Sequence, residues 1–489
     1  MDVTGDAGDA GDAGDAGDAG DAGDAGDARP ATGRPKELHF DQTRAVALAT
    51  GRHKLCVITG PPGSGKSTIL REIVARMKAD GTTPLLLGPT GKSVMVMRAC
   101  VGHHPHVMTI SKMETSPQIA GTYHGGTVVI DEASMVSVVH LSAVRRDLAP
   151  SRLVLIGDAD QLPAVGASAV LAELIACKWV PTVALTHVYR HDQATALFRN
   201  LGKFRRPGAT AAAPPPQLSA SDFEVDASFR RLCIGEGTDL TATLAELCAV
   251  PAAERPYVIC MTNDERKLFN AVVQNKVNAR ADSGRGQPFP KPYDGSSKYF
   301  DEVRVGDPVM CRKNAYPDRK PVAKAPAAPA AAAAAAADED EEEDDEDDAP
   351  PAPTPTFDML VSNGTRGEAV CVDGVPAVRY ETIDGEGNCA VFEDKYCFRR
   401  SRFKVREFQL GRAGTVDTAQ GSQYPHVVVV LDDGARSLTR KHLLVALSRA
   451  QKSCTLIHTD GAIEKVTRPW YAAPSAFSVC LKATDFSEF

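Results

Sequence analysis

The chain has 489 residues, 43% of them apolar, with twelve cysteines and a formal net charge of −8. That length and apolar content suit about two to four packed domains, and no run approaches the ~20 apolar residues of a membrane span. The cysteines form no C-x-x-C pair, which argues against a disulfide framework or a zinc site.

In chain order, Gly-Asp-Ala is repeated eight times over residues 5–28. The repeat lacks the proline and the length of a collagen helix, so a disordered acidic tail is expected over 1–37. Apolar runs follow at Leu55–Thr59, Pro84–Gly88, Thr127–Asp131, Leu153–Gly157, Tyr257–Thr262, Val427–Leu431 and Cys454–His458. Most are near-continuous in Val, Ile and Leu, as parallel strands covered on both faces should be. Helical patterns separate them, which predicts an α/β protein of two lobes divided near residues 200–250. Val94, Met95 and Met97 read as helix core. His103, His104 and His106 cluster without a partnering cysteine pair and read as a polar loop.

A Pro/Ala patch at Pro207–Pro216 marks a linker. A second low-complexity segment, about 317–355, contains eleven consecutive acids from Asp338 to Asp348. Residues 1–28 hold nine more acids and no base, and with these twenty set aside the formal −8 becomes +12. A basic body suits a polyanion such as nucleic acid.

Gly60-Pro61-Pro62-Gly63-Ser64-Gly65-Lys66-Ser67, followed by Thr68, stands between an apolar run and a helical pattern. This is the setting of a phosphate-binding loop. Its backbone N–H groups and the helix N-terminus attract phosphate. Lys66 reaches the β- and γ-phosphates of ATP, and the Ser67 hydroxyl ligates Mg²⁺. Thr127–Ile130 ends in Asp131-Glu132, so Asp131 is a second Mg²⁺ ligand and Glu132 the base for the attacking water. Gln161, in the segment Gly157-Asp158-Ala159-Asp160-Gln161-Leu162-Pro163, is placed to sense the γ-phosphate.

The pairing of Asp131-Glu132-Ala133-Ser134 with this last segment resembles the RecD-like branch of superfamily 1 helicases. Leu185-Thr186-His187-Val188-Tyr189-Arg190 also fits, and the resemblance makes Arg190 an arginine finger. It extends over most of residues 38–460. In that family a glutamine placed like Gln42 reads the adenine edge. Gly88-Pro89-Thr90-Gly91-Lys92 and Thr109-Ile110-Ser111-Lys112 match elements that contact a single strand, which implies nucleic-acid contacts at Pro89, Thr90, Lys92 and Thr109. Val305–Met310 and Ser362–Gly367 look like segments flanking a small SH3-like subdomain. Gly414–Gln423 resembles a second-lobe element, which assigns Thr415 to the strand and Gln420 and Gly421 to the nucleotide. Its Val416-Asp417 is closer to the RNA- and viral-helicase branch. Val445–Ala450 resembles the element whose arginine enters the interlobe cleft, here Arg449.

The resemblance implies two RecA-like parallel-sheet P-loop lobes with a small SH3-like β insertion in the second. The expected organisation is a first lobe over 38–205, then a linker and the start of the second lobe over 206–250. The rest of that lobe is expected over 251–300 and 408–475, the insertion over 301–407 and a tail over 476–489. The implied activity is that of an ATP-dependent DNA helicase or translocase, 5′→3′ on single-stranded DNA. RNA-stimulated ATPase activity and an ATP-switched structural subunit are the alternatives. Single-stranded DNA, duplex junctions and replication or recombination proteins are the implied partners, with no membrane. The low-complexity insertions resemble those of helicases from large DNA viruses. Without a signal-peptide h-region, the expected location is intracellular, in the nucleus of a eukaryotic host or otherwise in the cytoplasm.

Overall fold

Short Val-, Ile- and Leu-rich strands alternate with helices and stack into two parallel sheets. The computed structural model describes residues 38–102, 104, 106–164, 169–177, 179–189, 193–205, 217–235, 237–279, 303–311, 365–372, 375–383, 389–394, 408–432 and 438–468. The acidic tail, Arg190, His103, the Pro207–Pro216 patch, the 317–355 segment and the 476–489 tail lie outside them. Among the described residues no helix is long and apolar enough to cross a membrane.

The first lobe comprises β1 (Leu55–Thr59), β2 (Leu85–Gly88), β3 (Val107–Thr109), β4 (Thr127–Ile130), β5 (Arg152–Gly157) and β6 (Thr182–Ala184). They form one sheet in the order β3-β2-β4-β5-β1-β6, and every described pairing in it is parallel. Val57, Leu85, Leu87, Val128, Ile130 and Leu155 pack on one face. Their strand neighbours Cys56, Ile58, Leu86, Val129, Val154 and Ile156 are fully buried on the other. Burial on both faces explains why these strands read as unbroken apolar runs.

The chain continues through β7 (Phe229–Ile234) and β8 (Tyr257–Cys260) into β9 (Pro308–Cys311), β10 (Arg366–Val372), β11 (Val375–Ile383), β12 (Cys389–Asp394) and β13 (Phe408–Leu410). The last five form a small antiparallel sheet, β12-β11-β10-β9-β13. The chain then resumes the second lobe with β14 (Ala413–Thr415), β15 (Tyr424–Leu431) and β16 (Ala450–Thr459). Its sheet, β14-β8-β15-β16-β7, is parallel throughout. The acidic run falls between β9 and β10 in sequence, and those two strands pair with each other.

Several elements depart from the expectations. The chain enters the second lobe before residue 206: in the helix Ala196–Lys203, Ala196, Leu197 and Leu201 join Phe204 in the core of that lobe. The antiparallel sheet extends past residue 407, because Phe408–Leu410 pairs with β9. His104 lies on a loop before β3 but is only 6% exposed.

A buried polar cluster joins the insertion to the second lobe. Asp307, with no exposed surface, accepts from Arg412 Nη2 at 2.9 Å, Asn278 Nδ2 at 2.8 Å and the Arg304 amide at 2.8 Å. Gln274 Nε2 donates to it as well. A buried carboxylate is tolerated when donors surround it, so the acid of Val305–Met310 has a structural task.

Candidate nucleotide site

The phosphate loop leaves the carboxyl end of β1, and β5 separates that strand from β4. The loops after all three strands therefore converge, as ligand sites on parallel sheets do. A Cβ on Gly60 would lie 2.8 Å from both Leu185 Cβ and Ser64 Oγ, so the turn has room only for glycine. Gly65 takes φ 86° and starts the helix Lys66–Ala79 with no side-chain cap. The first N–H groups of that helix thus remain available to an anion. Gln42 is buried and donates from Nε2 to the Ser64 carbonyl at 3.3 Å. Ser64 is also buried, its Oγ donating to Pro61 O at 2.8 Å, whereas Ser67 is exposed.

Lys66 folds over its own loop, Nζ donating to Gly60 O at 2.7 Å and Pro61 O at 3.0 Å. Desolvation lowers its pKa, against the raising influence of Asp158, Glu132 and Asp131. Those three carboxylates lie at the tips of β5 and β4.

Asp131 is 8% exposed and accepts from the Glu132 amide at 2.9 Å. Burial first, then repulsion from Glu132, pushes its carboxyl up to about 7. Glu132 takes φ 52°, a left-handed conformation that costs a non-glycine residue about 1–3 kcal/mol and recurs at functional sites. Among the described residues, Glu132 Oε2 and Gln161 Oε1 are buried without a hydrogen-bond partner. Gln161 Nε2 donates to Asp158 Oδ2 at 3.4 Å. Two orphaned oxygens and a destabilised carboxylate beside Lys66 are the acceptor-rich environment that a cation and a water molecule would complete.

The second lobe supplies the opposite side. Arg449 is 3% exposed and is held by Val445 O at 3.0 Å, Ser422 O at 3.2 Å and Ser448 Oγ at 2.9 Å. Desolvation lowers its pKa, while Glu132 and Asp158 of the first lobe act to raise it. Its charge thus senses the first lobe's acids without pairing to them. Gln420 is buried, its Nε2 without a partner, and Gly421 adopts φ 73°.

The residues expected to hold a strand divide into two groups. Thr90, Thr109 and Thr415 are helix N-caps, accepting from the amides of Ser93, Lys112 and Thr418. Thr109 and Thr415 are each 7% exposed. Pro89 and Lys92 are half-buried. Lys92 crosses to the second lobe and donates to Ser422 Oγ. Burial, with Arg366 and Arg449 nearby, lowers its pKa to about 8.

Sequence reasoning missed three features. Tyr189 is 49% exposed, and its amide donates to Gly63 O at 2.8 Å beside the phosphate loop. Ser422 links Lys92 to Arg449. Arg205 pairs with Asp158 at 3.5 Å and Asp160 at 3.8 Å. Tyr189 lay within a recognised segment, but Arg205 had no motif to mark it.

These features form a phosphate-loop cleft faced by two parallel-sheet lobes. A family model described as an AAA domain matches residues 37–213, and one described as a UvrD-like helicase C-terminal domain matches residues 410–457. The ATP-dependent RecD2 DNA helicase of Deinococcus radiodurans is 24% identical over 431 residues, covering 85% of this chain and 48% of that protein. The RecBCD enzyme subunit RecD of Mycolicibacterium smegmatis is 31% identical over 167 residues, covering 28% of this chain and 30% of that protein. The chain therefore spans about half, or less, of the length of these relatives. Among solved structures, Pif1 helicase from Bacteroides in complex with ADP-AlF3 and ssDNA matches with a TM-score of 0.51 at 16% identity. That match covers 92% of this chain and 98% of the Pif1 chain. The chain is thus similar to RecD-like helicases of superfamily 1.

Proposed function

We propose that this chain is an ATP-dependent DNA helicase or translocase that moves 5′→3′ on single-stranded DNA. The observation that carries the reading is Arg449, a second-lobe cation only 3% exposed and held by Val445 O, Ser422 O and Ser448 Oγ, with Ser422 in turn bonded to Lys92 of the first lobe. In the ATP complex the phosphates accept from the backbone N–H groups of Gly63–Thr68, and Lys66 leaves its own carbonyls for the β- and γ-phosphates. Gln42 faces the base edge and Tyr189 offers a stacking surface. Ser67 and Asp131 would hold Mg²⁺, which neutralises phosphate charge when bound. Glu132 accepts a proton from the attacking water, and Gln161 registers the γ-phosphate. Arg449, with Arg190, stabilises charge on the transferring group.

ATP favours a closed arrangement only if it binds that arrangement more tightly, and an arginine reaching from the opposite lobe provides the difference. Single-stranded DNA as substrate and 5′→3′ polarity agree with the RecD-like resemblance. The test is ATP hydrolysis with matched DNA and RNA oligonucleotides, followed by unwinding of duplexes with 5′ or 3′ overhangs. DNA stimulation and preference for a 5′ overhang are expected. Hydrolysis indifferent to both polymers would sink the proposal, and stimulation by RNA alone would favour the branch suggested by Val416-Asp417.

A further inference from the structure

The loop Asp158–Leu162 belongs to the first lobe by sequence and strand order, yet the second lobe holds it at several points. Leu162 is 5% exposed and packs in the second-lobe core with Leu197, Leu201 and Phe204. Lys441, on the helix Arg440–Leu447, donates from Nζ to Ala159 O at 2.8 Å. Arg205 reaches Asp158 and Asp160 at 3.5 and 3.8 Å.

The mounting of Arg205 is itself built. It directly follows the helix Ala196–Lys203 and Phe204, whose apolar side chains are buried in the second-lobe core. The terminal carbonyls of that helix would otherwise lack partners. Arg440 donates to Lys203 O and, at 3.2 Å, to Phe204 O. Its guanidinium also lies 5.4 Å from the centre of the Phe204 ring. The guanidinium of Arg205 therefore projects from a base anchored in one lobe to a loop emerging from the other. Its principal partner, Asp158, is 2% exposed and also accepts from Gln161. A single carboxylate thus joins the γ-phosphate sensor to a second-lobe cation, and a partly buried pair of this kind is weakened little by solvent.

We propose that Arg205 is a positioning residue that ties the Gln161 loop to the second lobe, so that a change at the γ-phosphate moves that lobe. The proposal rests on the ATPase reading above. When Gln161 turns toward phosphate, its bond to Asp158 is exchanged, and the Arg205 pair carries the displacement to the helix Ala196–Lys203. Without Arg205 the loop keeps Leu162 and Lys441, but the buried Asp158 carboxylate loses its ion pair with the second lobe.

The test compares wild type, Arg205→Ala, Arg205→Lys and Asp160→Asn by thermal melting, nucleotide-analogue affinity, and kcat and KM for ATP with a deoxythymidine oligonucleotide. In Arg205→Ala, strand-stimulated kcat should fall about tenfold while KM for ATP and nucleotide affinity stay within about twofold. Arg205→Lys should recover most of the loss, and Asp160→Asn should show a smaller fall of the same kind. If Arg205→Ala melts early, Asp160→Asn and Arg205→Lys still decide the matter. Wild-type kcat in Arg205→Ala overturns the proposal. So does a loss matched by weaker nucleotide binding, or no recovery with lysine. Failure of the ATPase reading is distinct: it appears as an unsubstituted protein that hydrolyses no ATP, and both inferences then fall.

Discussion

The first lobe presents the carboxyl ends of its parallel strands to the nucleotide site, whereas the second lobe uses the amino ends of two of its strands. Lys66, Asp131 and Gln161 follow β1, β4 and β5, while Ser422 and Arg449 stand just before β15 and β16. The first set is local: the loop, the acids and the sensor interact within one sheet. In the second, Arg449 acts by reach, because it is bonded within its own lobe, whereas Lys441 and Arg205 touch the Asp158–Leu162 loop directly. The proposed binding residues therefore stand mainly in one lobe, and the proposed role of the second is to make turnover depend on how the lobes are arranged.

That division can be broken in graded steps. Lys66→Ala should reduce ATP hydrolysis to background with the fold retained, measured by phosphate release beside a thermal melt. Arg449→Ala should keep nucleotide binding and lower turnover by about a thousandfold or more, the usual worth of an arginine finger. Equal losses of binding and turnover would show that it supports the second lobe alone. Glu132→Gln should bind ATP and lose about 10²–10⁴-fold in kcat, and normal turnover would remove its assignment as the base.

A smaller effect is expected where the lobes meet. Leu162→Ala should destabilise the protein by about 2–5 kcal/mol as a buried leucine truncation, read by denaturant unfolding. A negligible cost would argue that the loop is not seated in the second-lobe core. The smallest change concerns Lys92. Its pKa near 8 means that raising the pH from 7 to 9 removes its charge and weakens strand binding at low salt. Lys92→Ala should abolish that limb and reduce the logarithmic salt slope by about 0.7. Between about 8 and its ordinary 10.5 the unfolded chain keeps a proton that the folded chain has released. This group therefore adds stability as the pH rises through that window.

The central strands were legible because burial on both faces leaves an unbroken apolar run. In the two parallel sheets the strands that escaped notice, Val107–Thr109, Thr182–Ala184, Phe229–Ile234 and Ala413–Thr415, all lie at sheet edges. Three of them are only three residues long, too short to show a period. Phe229–Ile234 is longer, but Arg230 and Arg231 interrupt its apolar run.

The phosphate loop, the Asp131-Glu132 pair and the Gln161 segment could be read from sequence because their chemistry is local. A glycine must take a left-handed turn and an acid must end a strand within a few residues of its neighbour. The roles of Asp307, Ser422 and Arg205 could not, since their partners lie far away in sequence. Asp307 meets Arg412, Ser422 meets Lys92, and Arg205 meets Asp158 only after folding. Sequence by itself determined the glycine-rich loop and the strand-end acids that are proposed to line the site's first wall. Tertiary structure decided which distant charges face that wall, because pairing across two lobes depends on packing that no local pattern encodes.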